Sequence, residues 1–292
     1  MLDAFKLSPF YQGCVRPCLW APIWAHRSYR RFIRERHFEA IAKQDAALLA
    51  ERRDQMERCY AHEKEPLVSV TIATYNRARL LVDQTLPAVF GQTYPNIEIV
   101  IVGDHCTDET ERLIAQAREP RVRFHNLPSR PRYPRNNLKR WKIGGLQAIN
   151  LACNMARGSW IAHLDDDDVF TPDHVEKLLR HGLSFNAEFV SGRSSVELQP
   201  GRWEERGSAL CKNGPIRQGY VSHSTVLRRS YTRFFTGDGC LKLGLAADSY
   251  TWARMLNAGV RTGFVDEVVT LLPLRPGELE RSYVHSVTRS IP

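Results

Sequence analysis

Apolar residues along the chain follow two rhythms, and the change between them falls at Pro66. Before it, residues 38–60 are rich in Ala, Leu, Glu, Arg and Gln, with Phe38, Ile41, Leu48 and Leu49 partly on one helical face. That pattern predicts a long helix, open either to packing on the core or to pairing with another subunit in a homo-oligomer. After Pro66, short apolar runs alternate with amphipathic stretches. The runs at 67–73, 97–102, 121–125 and 159–164 predict strands, and 97–102 is almost wholly apolar, as in a strand covered on both faces. Helical patterns at 78–91, 108–118 and 145–157 separate them. Pro87 predicts an irregularity, Thr107 or Asp108 a cap, and Gly158 a stop. Residues 130–140, basic and holding Pro and Asn, predict a loop. Beyond Thr171 come a helix to about 183, strands at 188–198 and 220–227, a helix at 247–258 stopped by Gly259, and an apolar strand at 260–272.

Strand–helix alternation of this kind implies an α/β fold: a Rossmann-like, mainly parallel sheet flanked by helices, here with an N-terminal helical extension. Such sheets bind ligands at the carboxyl ends of their strands, which directs attention to the loops beginning at Thr74, Gly103 and Asp165.

Charge narrows the partners. The formal net charge is +9, which suggests an anionic ligand, membrane surface or nucleic acid. Between Cys14 and His37 lie Arg16, Arg27, Arg30, Arg31, Arg34 and Arg36 with Glu35 as the sole acid, interleaved with Trp20, Trp24, Tyr29 and Phe32. One reading is a segment lying on an anionic membrane; the other is a solvated helix packing locally through Trp20, Trp24 and Phe32. No apolar run approaches the ~20 residues of a spanning helix, and Lys6, Arg16 and His26 interrupt any secretory core. The seven cysteines are odd in number, and only Cys14 and Cys18 are close. Reduced thiols follow, in a cytoplasmic protein peripheral at most to the inner membrane face.

Asp165-Asp166-Asp167-Asp168 follows the strand 159–164 directly. Four adjacent carboxylates at a strand end repel one another unless a cation, protonation or solvent relieves them. A hard divalent ion bridging to phosphate oxygens is one resolution. An acidic turn leading into the helix entry Thr171-Pro172-Asp173 is the other.

Four segments together resemble the inverting family-2 glycosyltransferases of the GT-A fold. They are Val68-Ser69-Val70-Thr71-Ile72-Ala73-Thr74-Tyr75-Asn76-Arg77; Gln92-Thr93-Tyr94-Pro95-Asn96 running through the next strand to Asp104 and Thr107-Asp108; Asn150-Leu151-Ala152 through Ala156-Arg157-Gly158; and Leu164 to Asp168. The resemblance is close over 68–173 and loose beyond. It implies three regions: a basic helical extension at 1–65, a nucleotide-sugar-binding half at 66–173, and an acceptor-binding half with the catalytic base and a basic tail at 174–292.

The resemblance implies roles residue by residue. Ala73, Tyr75 and Asn76 would line the donor, with Tyr75 against the nucleobase, its alternative being a strand-end core tyrosine. Asp104 would accept from the base N–H, against a turn or cap role; the preceding acid of many members is Gly103 here. Lys142 would meet the diphosphate or base, or be a solvated lysine. Asp167 would be the principal ligand of Mn2+ or Mg2+, Asp165 a second, Asp166 a neighbour of the ribose, and Asp168 a brace for the following helix. His223 would lie near the donor phosphates or be a buried polar group, and His285 could close over the diphosphate. Asp248, in Ala246-Ala247-Asp248-Ser249, would be the general base, the competing role being a helix N-cap. The implied reaction moves a sugar, from a UDP-sugar by this resemblance, to a hydroxyl of a glycan, lipid-linked or other acceptor in cell-envelope glycan synthesis. No nucleic-acid partner is expected. A nucleotidyltransferase would want a Gly-rich phosphate loop with Arg or Lys where Ala73-Thr74-Tyr75-Asn76 stands, and no Gly-x-Gly-x-x-Gly follows a strand. An inactive scaffold would not need Asp104, the aspartate run and Asp248 together.

Overall fold

A computed structural model describes residues 16–60, 62–210, 221–275 and 277, without the side chains of 16–28 and 31. Cys14, Cys211, Tyr220 and the tail carrying His285 lie outside the described residues, as do the side chains of Trp20 and Trp24.

Four parallel strands form the heart of the sheet: β1 (Val68–Thr74), β2 (Ile97–Gly103), β3 (Val122–Asn126) and β4 (Trp160–Asp165). Five more follow: β5 (Val169–Phe170), β6 (Phe189–Gln199), β7 (Arg202–Arg206), β8 (Val226–Arg229) and β9 (Thr262–Leu272). Their order is β3-β2-β1-β4-β8-β6-β9-β5, with β7 paired to β6. Thus β8 inserts antiparallel between β4 and β6, and a single sheet runs through both the 66–173 and 174–292 portions.

Helices cover both faces. They are α1 (Arg16–Tyr60), α2 (Ala78–Leu80), α3 (Leu86–Phe90), α4 (Thr110–Ala117), α5 (Asn137–Ile143), α6 (Leu146–Met155), α7 (His174–Ser184) and α8 (Ala247–Ala258). Val68, Val70 and Ile72 alternate along β1 toward Leu81, Val175 and Leu178. On β2, Val100 and Val102 face Ala148 and Ala152 of α6. The buried Ser69 on β1 is satisfied: its hydroxyl donates to Glu98 at 2.6 Å and accepts from the Gly158 amide at 2.9 Å. A side chain at Gly158 would meet the Leu67 carbonyl oxygen at 2.5 Å, so the turn into β4 requires glycine.

Several expectations shift. The patterns before and after residue 37 belong to one 45-residue helix, and its C-terminal part packs on the core. Phe38 and Leu49 are buried, Arg53 pairs with the fully buried Glu188, and Arg254 pairs with the buried Asp45. Phe32, one of the three residues through which local packing was expected, is 55% exposed. The irregularity expected at Pro87 is a π-helical turn, Leu81–Thr85, between α2 and α3. Asp108 caps from outside its helix, accepting from the amides of Thr110 and Ala78 at 3.1 Å each. Asp168 is buried and accepts from Ser224 Oγ at 2.6 Å. The run expected as strand 220–227 is a 3-10 turn, His223–Thr225, leading into β8.

Candidate active site

Register brings the three predicted loops together. Thr74 pairs with Gly103, and Ala73 with Asp165, so β1, β2 and β4 end at one edge. Ala73 abuts the entry to α6, where Gly145 takes φ +71° and a side chain would lie 3.5 Å from Ala73 Cβ. Asn76, at φ +50°, accepts from the Thr107 amide at 2.8 Å and donates to its hydroxyl at 3.2 Å. Its side chain therefore ties the first loop to the second.

Asp104 sits buried where β2 ends. Its Oδ2 accepts from Tyr133 Oη at 2.7 Å, with Arg130 Nε 3.8 Å away. Its Oδ1 is buried without a hydrogen-bond partner among the described residues. Burial pushes this carboxyl above its ordinary value against the pull of Tyr133 and Arg130. An unsatisfied buried acceptor is costly and suits a ligand N–H. Arg130 also stacks on Tyr75, its guanidinium carbon 3.4 Å from the ring centroid. The Tyr75 face is thus covered by a planar cation.

The aspartate run is divided by its partners. Asp166 and Asp167 are buried, and Arg77 Nη1 reaches both, at 2.6 and 3.1 Å. Arg275 Nε adds a second cation to Asp167 at 2.6 Å. Two guanidinium groups thus relieve the repulsion that the sequence sets up. Even so, burial leaves the Asp166 carboxyl raised. Asp165 is different: half of its side chain is exposed, and its Oδ1 accepts from His223 Nδ1 at 3.0 Å. Desolvation raises its pKa, but the His223 hydrogen bond and the charges of His223, Arg275 and Arg77 bring it below the ordinary value. The backbone of the loop is also held, by Thr85 on the Asp166 carbonyl at 3.0 Å and Gln84 on that of Asp167 at 3.1 Å.

His223 is gripped from behind. It stacks on His163 of β4, ring centroids 4.4 Å apart, and on Trp252 of α8 at 6.3 Å. The buried Arg228 donates to His163 Nε2 at 2.8 Å, which leaves the His163 proton on Nδ1, 3.0 Å from Thr71 Oγ1. Burial, with the nearby charges of His223 and Arg228, drives the His163 pKa well down and keeps the ring neutral.

Asp248 lies in the first turn of α8. The N-cap there is Ala246, which has no capping side chain, so Asp248 is not spent as the cap. Its Oδ1 accepts from the Ser249 amide at 2.5 Å and the Ser249 hydroxyl at 3.2 Å. Burial raises its pKa; the Ser249 amide and His223 oppose the rise, and Asp165 adds to it. Asp165, His223 and Asp248 therefore share one electrostatic neighbourhood. Lys142 is engaged elsewhere, donating to the Gly244 carbonyl at 2.6 Å, and its pKa is lowered by burial and by Arg34 and Arg30.

Arg77, Arg130, Tyr133, His163, Ser224, Arg228 and Arg275 all enter this region without having been assigned a role from sequence. Arg77 ends the first loop motif and Arg130 lies in the basic loop, so both carried a local signal. Arg275 carried none, because its partner is 108 residues away.

Among the described residues, no group of three or more His, Cys, Asp or Glu is arranged to hold a metal ion. A cation is nonetheless compatible with the chemistry present: Asp167 already accepts two guanidinium groups, and Asp165 is open to the crevice. A hard ion bound by one or two carboxylates takes its other ligands from phosphate and water.

Similarity to known proteins agrees with this geometry. Residues 69–245 match the profile of glycosyl transferase family 2, and the chain belongs to that family. It is 32% identical over 142 residues to the succinoglycan biosynthesis protein ExoO of Rhizobium meliloti, covering 49% of this chain and 37% of that one. It is 32% identical over 137 residues to the putative teichuronic acid biosynthesis glycosyltransferase TuaG of Bacillus subtilis, covering 47% of this chain and 50% of the relative. With the putative colanic acid biosynthesis glycosyl transferase WcaA of Escherichia coli it shares 24% identity, over 75% of this chain and 76% of the other. The chain thus spans half or less of ExoO and TuaG. Its fold is of the GT-A type. The crystal structure of S. aureus TarS 1-349 in complex with UDP-GlcNAc matches at a TM-score of 0.56 and 17% identity, over 73% of this chain and 60% of that one.

Proposed function

We propose that this chain transfers a sugar from a UDP-sugar to an acceptor hydroxyl, with inversion, in the synthesis of a cell-envelope polysaccharide. The observation that carries the reading is three complementary parts, two at one strand edge and one in the first turn of α8. They are the unpartnered Oδ1 of Asp104, the Asp165–Asp167 loop, and Asp248 in the neighbourhood of His223. Names of relatives in exopolysaccharide and teichuronic acid synthesis support the acceptor class, and the UDP-GlcNAc complex of TarS fits the choice of nucleotide.

In this reading the base stacks on Tyr75 after Arg130 gives way, and its N–H donates to Asp104 Oδ1. Asp166 lies toward the ribose. Asp248 takes the proton of the acceptor hydroxyl as that oxygen attacks the anomeric carbon, and the nucleoside diphosphate leaves from the opposite face. A carboxylate with a raised pKa is a better base near neutrality than an ordinary one. Arg77 and Arg275 supply fixed positive charge at the leaving side. Asp167 and Asp165 would hold Mn2+ or Mg2+, which neutralises diphosphate charge when bound. His223 holds Asp165 in place, donating from Nδ1 because an ionised carboxylate cannot donate.

The test is calorimetry with a panel of nucleotide sugars, with and without Mn2+, on the native chain and on Asp248→Asn. Metal-dependent binding of a UDP-sugar by both, with transfer lost only in the variant, is the expected result. Absence of nucleotide binding, or undiminished transfer by the variant, overturns it.

A further inference from the structure

Two helices outside the transfer site expose large apolar side chains beside cations. On α1, Tyr29, Phe32 and Ile33 are 63%, 55% and 39% exposed and share one helical face with Arg36. The opposite face is the one that packs: Arg34 donates to the Leu243 carbonyl at 3.2 Å, His37 Nε2 lies 2.9 Å from Tyr250 Oη, and Phe38 is buried. On α5, Leu138 and Trp141 are 49% and 59% exposed, and the helix buries no residue of its own. The two helices meet at one corner. Lys142 of α5 bonds the Gly244 carbonyl, and a side chain at Gly244 would lie 3.6 Å from Arg30 Nη1 of α1.

The charge around this corner is mainly positive, with Glu35, Glu39 and Asp238 as nearby acids. The sequence holds no Asp or Glu between Asn126 and Asp165, a stretch that includes Arg132, Arg135, Lys139 and Arg140. None occurs from Ala4 to Arg34 either, and the nearest acids on α1 are Glu35 and Glu39, of which Glu39 pairs with Arg36. Among the described residues no helix is long and apolar enough to cross a membrane. Aromatic and aliphatic side chains set among exposed cations are the composition of a helix that lies in a headgroup layer. A second copy of the chain fits poorly, because a two-fold contact sets this basic surface against itself.

We propose that the corner formed by α1 and α5 docks on an anionic lipid bilayer. Tyr29, Phe32, Ile33, Leu138 and Trp141 enter the headgroup–acyl boundary, while Lys139 and Arg140 meet lipid phosphates. Gly244 lies four residues before Asp248, so docking would set the acceptor side of the crevice close to the membrane, where a lipid-linked hydroxyl is presented. The docking itself does not depend on the transfer chemistry and is tested without it.

The experiment is flotation of the full chain with phosphatidylcholine vesicles, with and without phosphatidylglycerol. Binding should need phosphatidylglycerol and weaken with salt. Leu138→Ser/Trp141→Ser and Phe32→Ser/Ile33→Ser should each lower the bound fraction about fivefold or more, from the apolar area withdrawn. The exposed pair Lys139→Glu/Arg140→Glu, which touches no core, should do the same while far-UV circular dichroism is unchanged. Equal binding to neutral vesicles, no binding at all, or unchanged binding by the charge-reversed variant overturns the proposal. So does light scattering that shows a dimer which the apolar variants dissolve without any effect on vesicles.

Discussion

Asp248 shows how one residue acquires its chemistry from surroundings that it does not choose. Two alanines, Ala246 and Ala247, precede it; Ala246 supplies no capping side chain, and one carboxylate oxygen of Asp248 takes the Ser249 amide of the first turn. Burial and Asp165 raise its pKa, and the Ser249 amide and His223 restrain the rise. With Asp248 as the proposed base, proton abstraction needs its ionised form, so transfer should fall as pH drops through the raised value. The acidic limb of kcat should therefore stand above the ~4 of an ordinary aspartate. Removing His223 as His223→Ala should move that limb higher still, read from pH–rate profiles of both proteins. An unmoved limb would separate His223 from Asp248. Asp104 makes the complementary point. Its place was legible from the loop that ends β2, but the unequal state of its two oxygens was not: Oδ2 is taken by Tyr133, 29 residues away, and Oδ1 is left without a partner among the described residues.

At the scale of elements, the parallel strands were readable because each is a continuous apolar run, and β1, β2 and β4 fall within a residue or so of expectation. What escaped was short or irregular. The helix α5 has seven residues and buries none, so Leu138 and Trp141 give it a single i,i+3 pair and no longer apolar period; β5 has two residues; β7 alternates nothing, since Arg202, Trp203, Glu204 and Glu205 are all exposed. The fate of α1 was likewise illegible, because it rests on ion pairs with distant residues. Glu188 is the clearest case. It accepts both Arg53 Nε and Nη2, at 2.6 and 2.7 Å, as well as Tyr231 Oη at 2.6 Å and the Arg261 amide at 2.8 Å. Burial raises its pKa, but these donors outweigh it and hold the value below the ordinary one. A depressed carboxylate stabilises the fold above the unfolded-state pKa, and that contribution disappears as pH falls through the folded-state value. Glu188→Gln should cost about 3 kcal/mol at neutral pH, since it leaves Arg53 part-buried and unpaired. Urea unfolding should show the gap to the native chain closing in acid.

Over the whole molecule, the far end of the described chain returns to its middle. From β9 the chain passes to Arg275, which lands on Asp167 beside Arg77. In the proposed reading a divalent ion would compete with Arg275 for one carboxylate. Arg275→Ala should bind Mn2+ several-fold more tightly in the absence of nucleotide, by isothermal titration, because a competing charge at contact distance is gone. Looser or equal binding would show that Asp167 is not where the ion goes. Such closure between residues 108 apart has no trace in local pattern. It needs β6 and β9 to lie parallel and adjacent, so that the end of the long strand reaches the aspartate loop.

The π-helical turn at Leu81–Thr85 has an architectural meaning of its own. Gln84 and Thr85 are the residues that hold the backbone of the aspartate loop, and they stand in the one wide turn between two ordinary helical pieces. A π turn holds one residue more than the α turn it replaces. It adjusts where a side chain points while leaving the rods on either side aligned. Leu81 and Leu86 bracket it, both buried in the same core, so the packing frame is fixed at each end. The wide turn thus joins the buried core, through Leu81 and Thr85, to the backbone of the aspartate loop, through Gln84 and Thr85.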